Sequence, residues 1–292
     1  MASSDVLAIE RLAFDDIAGG LALSDAAGWN QSADDWSFFI AAGAVFGVRD
    51  EAGTLVATAA ALPYDDTAGW ISMVLVDPAH RHRGIASQLV DACVRSLREA
   101  GRSAVLDATP AGAAVYAKIG FVAGFAFERW EGEGAATLAA TGSESGAAAE
   151  PTQAETLIAL DRSAGGVDRA LLLRSFLSRP ATRAWLAPRG DGFALRRAGR
   201  RAVQVGPIVA PDDAAALELL ALALAGIDGR AFIDVPVHRT SIADDLTRRG
   251  FVRQRPFVRM ALGDARAAAA RDRVFALAQD GDSERCGGRC HR

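Results

Sequence analysis

The residues with the clearest chemical potential form a basic, glycine-containing turn in the first third of the chain. The stretch His80-Arg81-His82-Arg83-Gly84-Ile85-Ala86 places two arginines immediately before a predicted helix start. The first backbone N–H groups of a helix have no carbonyl partners, and the helix dipole favours an anion there. Gly84 and the small Ala86 let a ligand approach the backbone closely, and each arginine adds a charge-assisted bond of roughly 1.5–3 kcal/mol. The spacing therefore predicts a cradle for a pyrophosphate.

A strand and a helix must flank this turn to position it. The apolar run from Ile71 to Val76 predicts a buried strand, which Pro78 prevents from continuing. After the turn, apolar residues recur at helical spacing, namely Ile85, Leu89, Cys93 and Leu97. The turn therefore leads directly from a strand into a helix N-terminus.

Composition limits the classes of protein to which the chain can belong. Its 292 residues predict two domains of ordinary size, and half of them are apolar. No apolar run approaches the ~20 residues that span a membrane, and no signal peptide is recognisable. Three cysteines give no disulfide framework, so we expect a cytoplasmic protein. The net charge of −4 provides no field that attracts nucleic acid.

A metal site is not expected. His80 and His82 alternate with Arg81 and Arg83 in a cationic turn that would repel a divalent ion. The terminal Cys286-x-x-x-Cys290-His291 supplies only three ligands in a Gly- and Arg-rich stretch, which we interpret as a disordered tail over 279–292.

A stretch rich in Gly, Ala, Ser, Thr and Glu divides the chain. It covers residues 131–151 and is typical of a flexible linker. We therefore expect an N-terminal domain over 1–130 and a C-terminal domain over 152–278.

The two parts share a faded repeat. Gly120-Phe121-Val122 matches Gly250-Phe251-Val252, and Val105-Leu106-Asp107 matches Phe232-Ile233-Asp234. Aligning Leu75-Val76-Asp77-Pro78 with Ile208-Val209-Ala210-Pro211 leaves the second part six residues short, and the gap falls on 79–84. The second domain is therefore expected to repeat the fold without the phosphate turn, although chance similarity between two α/β halves remains an alternative.

These features resemble the GCN5-related N-acetyltransferase (GNAT) family. Arg81-x-x-Gly84-x-Ala86 after a strand ending in Val-Asp-Pro is similar to the family's pyrophosphate motif, Gln/Arg-x-x-Gly-x-Gly/Ala. A second strand over 104–108, a helix with Val115-Tyr116 and then Gly120-Phe121 follow in the family's order. The tandem arrangement, with Ala27-Gly28-Trp29-Asn30-Gln31 near the start, resembles a bacterial subgroup, the YitH-like proteins. The resemblance implies two α/β GNAT-type domains, each a mixed central sheet with helices on both faces, the second degenerate.

The resemblance implies acetyl-CoA as the co-substrate. In the family, the first strand diverges from its neighbour and the pantetheine arm pairs with its backbone, while the next loop holds the pyrophosphate. Thr109 stands where the family often has a pantetheine-contacting asparagine, although Pro110 is equally explained as a helix start. The implied cofactor-binding residues are Met73, Val74, Leu75, Val76, Arg81, His82, Arg83, Gly84, Ile85, Ala86 and Thr109.

The family reaction is direct attack of an amine on the acetyl thioester in a ternary complex. Tyr116 matches the tyrosine that often protonates the departing thiolate, and its alternative role is a core tyrosine. The amide of Val74 or Leu75 would polarise the thioester carbonyl. The strand over 70–76 carries no carboxylate, and its Ser72 could only relay a proton through water. The general base therefore stays open between Asp35, Asp65, Asp66 and Asp107, a water-mediated route, and an acceptor amine with a naturally low pKa.

The acceptor side is predicted near the N-terminus. Trp29, Asn30, Gln31 and Trp36 lie in the region between the first two helical segments, and this region commonly covers the acceptor cleft in GNAT folds. The alternative is structural, with Ser32 and Asp35 forming a capping box before a packed aromatic.

The resemblance therefore implies acetylation of a primary amine, on a small molecule more readily than on a protein, and the composition predicts no nucleic-acid or membrane partner. The second domain would complete the acceptor cleft or form an oligomer interface, such as that of a homodimer. Its polar groups are Asp161-Arg162, Asp168-Arg169 and Asp234 with His238-Arg239. We expect them to form ion pairs, and the alternative is that they bind an anionic part of the acceptor. The alternative is a non-catalytic acetyl-CoA sensor.

Overall fold

A computed structural model of the chain describes residues 8–134, 153–165, 167–263 and 272–278. These residues form two compact units. Unit 1 contains residues 8–122 and 260–263, and unit 2 contains the other described residues. Most of the expected linker and the whole expected tail lie outside the described residues.

Unit 1 is built around a five-stranded run that begins near the N-terminus. Its elements are β1 (Ile9–Arg11), α1 (Ile17–Ala27), α2 (Ala33–Ala42), β2 (Ala44–Arg49), β3 (Leu55–Pro63), β4 (Ala68–Val76), α3 (Ile85–Glu99), β5 (Ser103–Ala108) and α4 (Pro110–Lys118). The strands lie in the order β1-β2-β3-β4-β5, antiparallel up to β4 and parallel between β4 and β5. The sheet is therefore mixed.

Helices cover both faces of this sheet. On one face Gly69 leaves room for Leu97 of α3, since a Cβ at Gly69 would come within 2.3 Å of that side chain. The strand register places Leu55 on the opposite face, where it packs against Gly19 of α1. The apolar repeat beginning at Ile85 buries one side of α3 against the sheet, as its spacing predicts.

Unit 2 repeats this arrangement. Its elements are β6 (Val122–Glu133, of which Val122 belongs to unit 1), α5 (Ala154–Gly165), α6 (Ala170–Leu177), β7 (Arg183–Leu186), β8 (Phe193–Arg197), β9 (Val203–Val209), α7 (Asp213–Leu224), β10 (Arg230–Pro236), α8 (Thr240–Arg248), β11 (Val252–Leu262, which ends in unit 1) and β12 (Val274–Ala276). The strand order is β11-β6-β10-β9-β8-β7, with β12 on β9. As in unit 1, antiparallel strands lead to one parallel pair, β9 with β10.

One hydrophobic cluster of unit 2 lies between its sheet and helices α7 and α8. Leu219, Leu220 and Leu224 of α7 pack with Ile242 and Leu246 of α8 and with apolar residues of β9 and β10. On the same sheet, Phe127 of β6 stacks on Phe257 of β11, with ring centroids 5.0 Å apart. These contacts bury Phe251, Ile233 and Ile208 of the faded repeat, whereas Val252 is exposed.

Each unit includes strand residues from the opposite half of the sequence. Residues 123–133 of β6, which follow the first repeat, pair antiparallel with β10 in unit 2. The last residues of β11, Met260–Leu262, belong to unit 1, where β11 is the neighbour of β5. Strand β6 continues to Glu133, three residues into the stretch whose composition is typical of a linker.

The predicted α/β class with mixed sheets and helices is confirmed. No helix in the described part of the chain is long and apolar enough to cross a membrane.

Candidate active site

A bulge in β4 shapes the candidate site. Thr58 pairs with Leu75 and Ala60 pairs with Ser72, so two residues of β4 oppose one residue of β3. Within the bulge Met73 has a φ of 55°, a left-handed conformation that is rare for a residue with a side chain. The hydroxyl of Thr58 donates a hydrogen bond of 2.9 Å to the Met73 carbonyl oxygen. This buried contact holds the bulge in place.

Beyond the bulge, β4 is no longer in register with β5. The parallel pairing begins at Ala68 opposite Ser103 and ends at Ile71 opposite Leu106. Strand β4 continues through Val76 and β5 continues to Ala108. The backbone of residues 73–76 therefore lies where an extended ligand can pair with it, as the family resemblance implies.

The turn after β4 is held by its own side chains. Asp77 accepts a bond of 2.9 Å from the amide of Ala79, and His80 Nδ1 lies 3.2 Å from the same carboxylate oxygen. Arg81 donates from Nε to the carbonyl oxygen of Val76 at 3.0 Å. Arg81 thus ties the turn to the end of the strand, a role that its spacing did not indicate.

Two left-handed residues carry the chain from the turn into α3. His82 has a φ of 65° and Gly84, the N-cap of α3, has a φ of 76°. A Cβ built on Gly84 would meet only the tip of Gln88, at 3.9 Å, so the space beside this helix start is open. Arg83 is exposed here, and Ile85 is buried. The arrangement fits an anion bound to the first amides of α3.

Thr109 and Tyr116 both lie close to Gly112 of α4. Thr109 is the N-cap, and its hydroxyl accepts a bond of 3.3 Å from the amide of Gly112, while Pro110 occupies the first turn. The Tyr116 ring is buried, with its centroid 6.0 Å from that of Phe121. A Cβ at Gly112 would lie 3.2 Å from the Tyr116 ring and 3.5 Å from the Thr109 hydroxyl. Gly112 therefore leaves room for both groups at the start of α4.

The candidate bases have different surroundings. Asp35 completes the expected capping box, with Oδ2 accepting from the Ser32 amide at 2.8 Å. Asp65 accepts from the amides of its own turn, including that of Ala68 at 2.8 Å, and Asp66 is fully exposed. Asp107 is buried at the end of β5. Of these four, Asp107 alone lies at the diverging end of β4 and β5.

The predicted acceptor residues divide into two groups. Trp36 donates from Nε1 to the hydroxyl of Ser24 at 3.1 Å and packs against Gly20, which places it in the core between α1 and α2. Trp29 is 1% exposed, and its Nε1 has no hydrogen-bond partner. Asn30, beside it, is also buried.

Two further buried polar atoms have no hydrogen-bond partner, one on Gln31, beside Asn30, and one on Ser72 of β4. In the described part of unit 1, Gln31 Oε1 and Ser72 Oγ are, besides Trp29 Nε1, the buried side-chain polar atoms without a partner. The register places Ser72 on the sheet face of Leu55, the face covered by α1. Buried polar groups are normally paired, so these atoms are candidates for ligand contacts.

The polar pairs of the second domain are mostly ion pairs, as expected. Asp161 is buried against Arg169 at 2.7 Å, and Asp168 pairs with Arg162. Asp234 is fully buried and accepts from Arg129 Nε at 2.8 Å. Among the described residues, no group of three or more His, Cys, Asp or Glu could hold a metal ion.

Comparison with known proteins decides the family. Residues 14–121 match the model described as the Acetyltransferase (GNAT) family, and residues 157–276 match the model described as the Acetyltransferase (GNAT) domain. The chain belongs to the GNAT family. It is a tandem-domain GNAT acyltransferase, since each half of the sequence matches a GNAT model separately.

Three known proteins are similar to this chain over most of its length. The chain is 25% identical to the uncharacterized N-acetyltransferase YitH of Bacillus subtilis (strain 168) over 240 residues, covering 80% of this chain and 84% of that protein. It is similar in fold to a candidate acetyltransferase of Pyrococcus horikoshii, with a TM-score of 0.77, 20% identity and coverage of 95% and 96% of the two chains. It is also similar to a tandem GNAT protein from the clavulanic acid biosynthesis pathway, with a TM-score of 0.61, 16% identity and coverage of 88% and 98%.

Proposed function

We propose that unit 1 binds acetyl-CoA and transfers its acetyl group to a primary amine of a small molecule. The observation that carries the proposal is the combination of the β4 bulge, the end of the β4–β5 register at Ile71 and the open helix start at Gly84. These features succeed one another along the chain in the order that a pantetheine arm and a pyrophosphate would need.

The phosphate end would bind at the start of α3. The amides following Gly84 lie at an open helix N-terminus, and Arg83 and His82 are exposed beside it. Arg81 would act partly by positioning, because its Nε is bonded to the Val76 carbonyl. The residues Met73–Val76 would pair with the pantetheine amides. Thr109 would lie beside the pantetheine arm.

Acetyl-CoA supplies the acetyl thioester. The residues of this chain would then perform two tasks. A backbone amide after the left-handed Met73, that of Val74 or Leu75, would donate to the thioester oxygen as negative charge develops. The Tyr116 hydroxyl would give its proton to the departing sulfur as the C–N bond forms and the C–S bond breaks, a step typically worth ~10²–10⁴ in rate.

The proton lost by the attacking amine needs a separate acceptor. Strand β4 carries no carboxylate between Trp70 and Val76. Asp107, buried at the end of β5, is the best-placed candidate, and a water chain to solvent is the alternative. The missing strand carboxylate also favours a second candidate function, an acetyl-CoA sensor without turnover.

Calorimetry with acetyl-CoA followed by a thiol-release assay on a panel of amines tests the proposal. The expected result is micromolar binding, loss of binding in Gly84→Glu, and release of CoA with one class of amine. Binding without release for any amine would favour the sensor, and no binding by the folded wild type would contradict both functions.

A further inference from the structure

A short strand of the chain itself lies between the ends of β9 and β10 in unit 2. Strand β12 pairs antiparallel with β9, with Val274 opposite Val209 and Ala276 opposite Ile208. Its next residue, Leu277, donates from its amide to the carbonyl oxygen of Asp234 on β10 at 2.8 Å. The amide of Ala210 donates to the carbonyl oxygen of Arg273 at 3.0 Å. The segment 272–278 thus bonds to both strands.

Strand β12 lies in the gap where β9 and β10 stop pairing. This gap corresponds to the place in unit 1 where β4 and β5 stop pairing and where the cofactor is proposed to bind. In β9, Ala194 pairs with Ile208 and Arg196 pairs with Val205, which places a bulge at Gly206-Pro207. This bulge lies 133 positions after Met73-Val74, and Gly206 again has a positive φ, of 134°. The β9–β10 register ends at Val205 opposite Ile233, directly before the bulge. In both units, therefore, a bulged strand stops pairing with its parallel neighbour: β4 with β5 in unit 1, and β9 with β10 in unit 2.

The backbone of β9 accommodates β12 closely. A Cβ built on Gly206 would lie 2.2 Å from the carbonyl oxygen of Leu277, so only glycine fits at this position. All five residues from Val274 to Ala278 are buried. This packing is that of a core strand and not of a surface tail.

Arg239 holds β12 from the other side. It is the N-cap of α8, 130 positions after Thr109, the N-cap of α4. Its Nε donates to the carbonyl oxygen of Val274 at 3.0 Å, and its Nη2 donates to that of Asp272. The guanidinium carbon lies 3.9 Å from the centroid of the Phe275 ring. Burial lowers the pKa of Arg239, consistent with a cation enclosed by these contacts.

The start of α7 differs from the start of α3 in a way that disfavours a bound phosphate. Residues 210–212 replace the longer turn of residues 77–84. The N-cap is Asp212, whose carboxylate accepts from the amide of Ala215 at 2.9 Å. A carboxylate therefore occupies the position where an anion would bind to the helix N-terminus.

We propose that the diverging ends of β9 and β10 form a strand-binding site for an extended polypeptide, and that its occupant is the segment 272–278 of this chain. This segment takes the place that the pantetheine arm would take in unit 1, a comparison that rests on the proposed function. The chain consequently binds one acyl-CoA, in unit 1, and unit 2 gains through β12 the backbone pairing that a cofactor would otherwise supply.

Amide hydrogen exchange on the wild-type full chain tests the occupancy. The amides of residues 274–277 are expected to exchange at least 10-fold more slowly than in the free peptide of the same sequence, with or without saturating acetyl-CoA. Exchange as fast as that of the free peptide would overturn the proposal. Loss of protection on adding acetyl-CoA, or a stoichiometry of two per chain, would also overturn it. If acetyl-CoA does not bind at all, the proposed function is wrong, but the exchange rates of residues 274–277 still show whether this segment occupies the site between β9 and β10.

A variant that releases β12 tests the site directly. Leu277→Pro removes the amide that donates to Asp234, and a fluorescent synthetic peptide of residues 272–278 should then bind to the full-length variant. The wild type, whose site is filled, should bind the peptide at least 10-fold more weakly, and a peptide carrying the same proline should not bind the variant. Equal binding of both peptides would overturn the proposal. Should the variant not fold, Arg239→Ala with Arg248→Ala as control replaces it, with faster exchange at 274–277 expected in Arg239→Ala only.

Discussion

The hydroxyl of Thr58 donates to the carbonyl oxygen of Met73 across 2.9 Å, and this bond fixes the left-handed residue of the β4 bulge. Thr58→Val keeps the side-chain volume but removes the hydroxyl that donates to this buried carbonyl, which costs about 1–3 kcal/mol. We expect lower stability in urea unfolding and weaker acetyl-CoA binding. Thr58→Ser retains the hydroxyl and should restore most of both, and a fully active Thr58→Val would show that the bulge needs no such support.

Gly84 offers a test of the phosphate cradle with a matched control. Gly84→Ala strains a backbone with a φ of 76°, and Gly101→Ala imposes the same strain at 74° in a turn with nothing nearby. Both variants should lose about 1–2 kcal/mol of stability. Calorimetry should show at least 10-fold weaker acetyl-CoA binding for Gly84→Ala only. An equal loss of affinity in both variants would place the effect in stability and not in the cradle.

Tyr116→Phe should separate catalysis from binding. Removing the hydroxyl is expected to lower kcat by ~10²–10⁴ at unchanged acetyl-CoA affinity, because the ring still packs on Phe121. Tyr64→Phe is the control, since Tyr64 is the other tyrosine of the chain and its ring packs on Trp70. A Tyr116→Phe enzyme with normal kcat over the pH range would exclude Tyr116 as the general acid.

Two neighbouring tryptophans give opposite expectations. Trp36→Phe loses the bond from Nε1 to Ser24 and should lower the free energy of unfolding by about 1 kcal/mol or more. Trp29→Phe removes a buried N–H that has no partner, so the folded state loses no hydrogen bond. Steady-state kinetics should show a raised acceptor KM for Trp29→Phe. An unchanged KM would assign Trp29 to packing alone.

The buried ion pair of unit 2 should be sensitive to removal of one partner. Arg129 and Asp234 make two bonds, of 2.8 Å and 3.0 Å, and Gln204 donates to the same carboxylate. Arg129→Met leaves a buried charge and should cost about 3–5 kcal/mol in urea unfolding. The double variant Arg129→Met/Asp234→Leu should recover most of this loss, and a double variant as unstable as the single one would contradict that explanation.

The local elements of the site could be predicted from the sequence because they depend on neighbouring residues. Pro78 ends a strand, Gly84 permits the left-handed helix start, and Ser32 with Asp35 forms the expected capping box. The pairing of Arg129 with Asp234 could not be predicted, because it joins positions 105 residues apart. The left-handed Met73 could not be predicted either, since a bulge is imposed by the register of β3 on β4 and methionine carries no signal for it.

Strand β12 was missed for a similar reason. Its three residues are too short for periodicity to identify, and only the gap between β9 and β10 gives them a place. The unpartnered atoms of Gln31 and Ser72 likewise depend on what surrounds them in three dimensions. Sequence indicates which residues are polar, but only the fold decides whether their partners are present.

Unit 1 includes the last residues of β11, which come from the second half of the sequence, and this determines when unit 1 can form. The neighbour of β5 ends at Leu262, so a ribosome must synthesise most of the chain before that edge of the sheet can be covered. Until then β5 is an unpaired edge, which is a hazard for aggregation during translation. A gene fragment that stops soon after β6 would encode the acyltransferase half with β5 still open on that side.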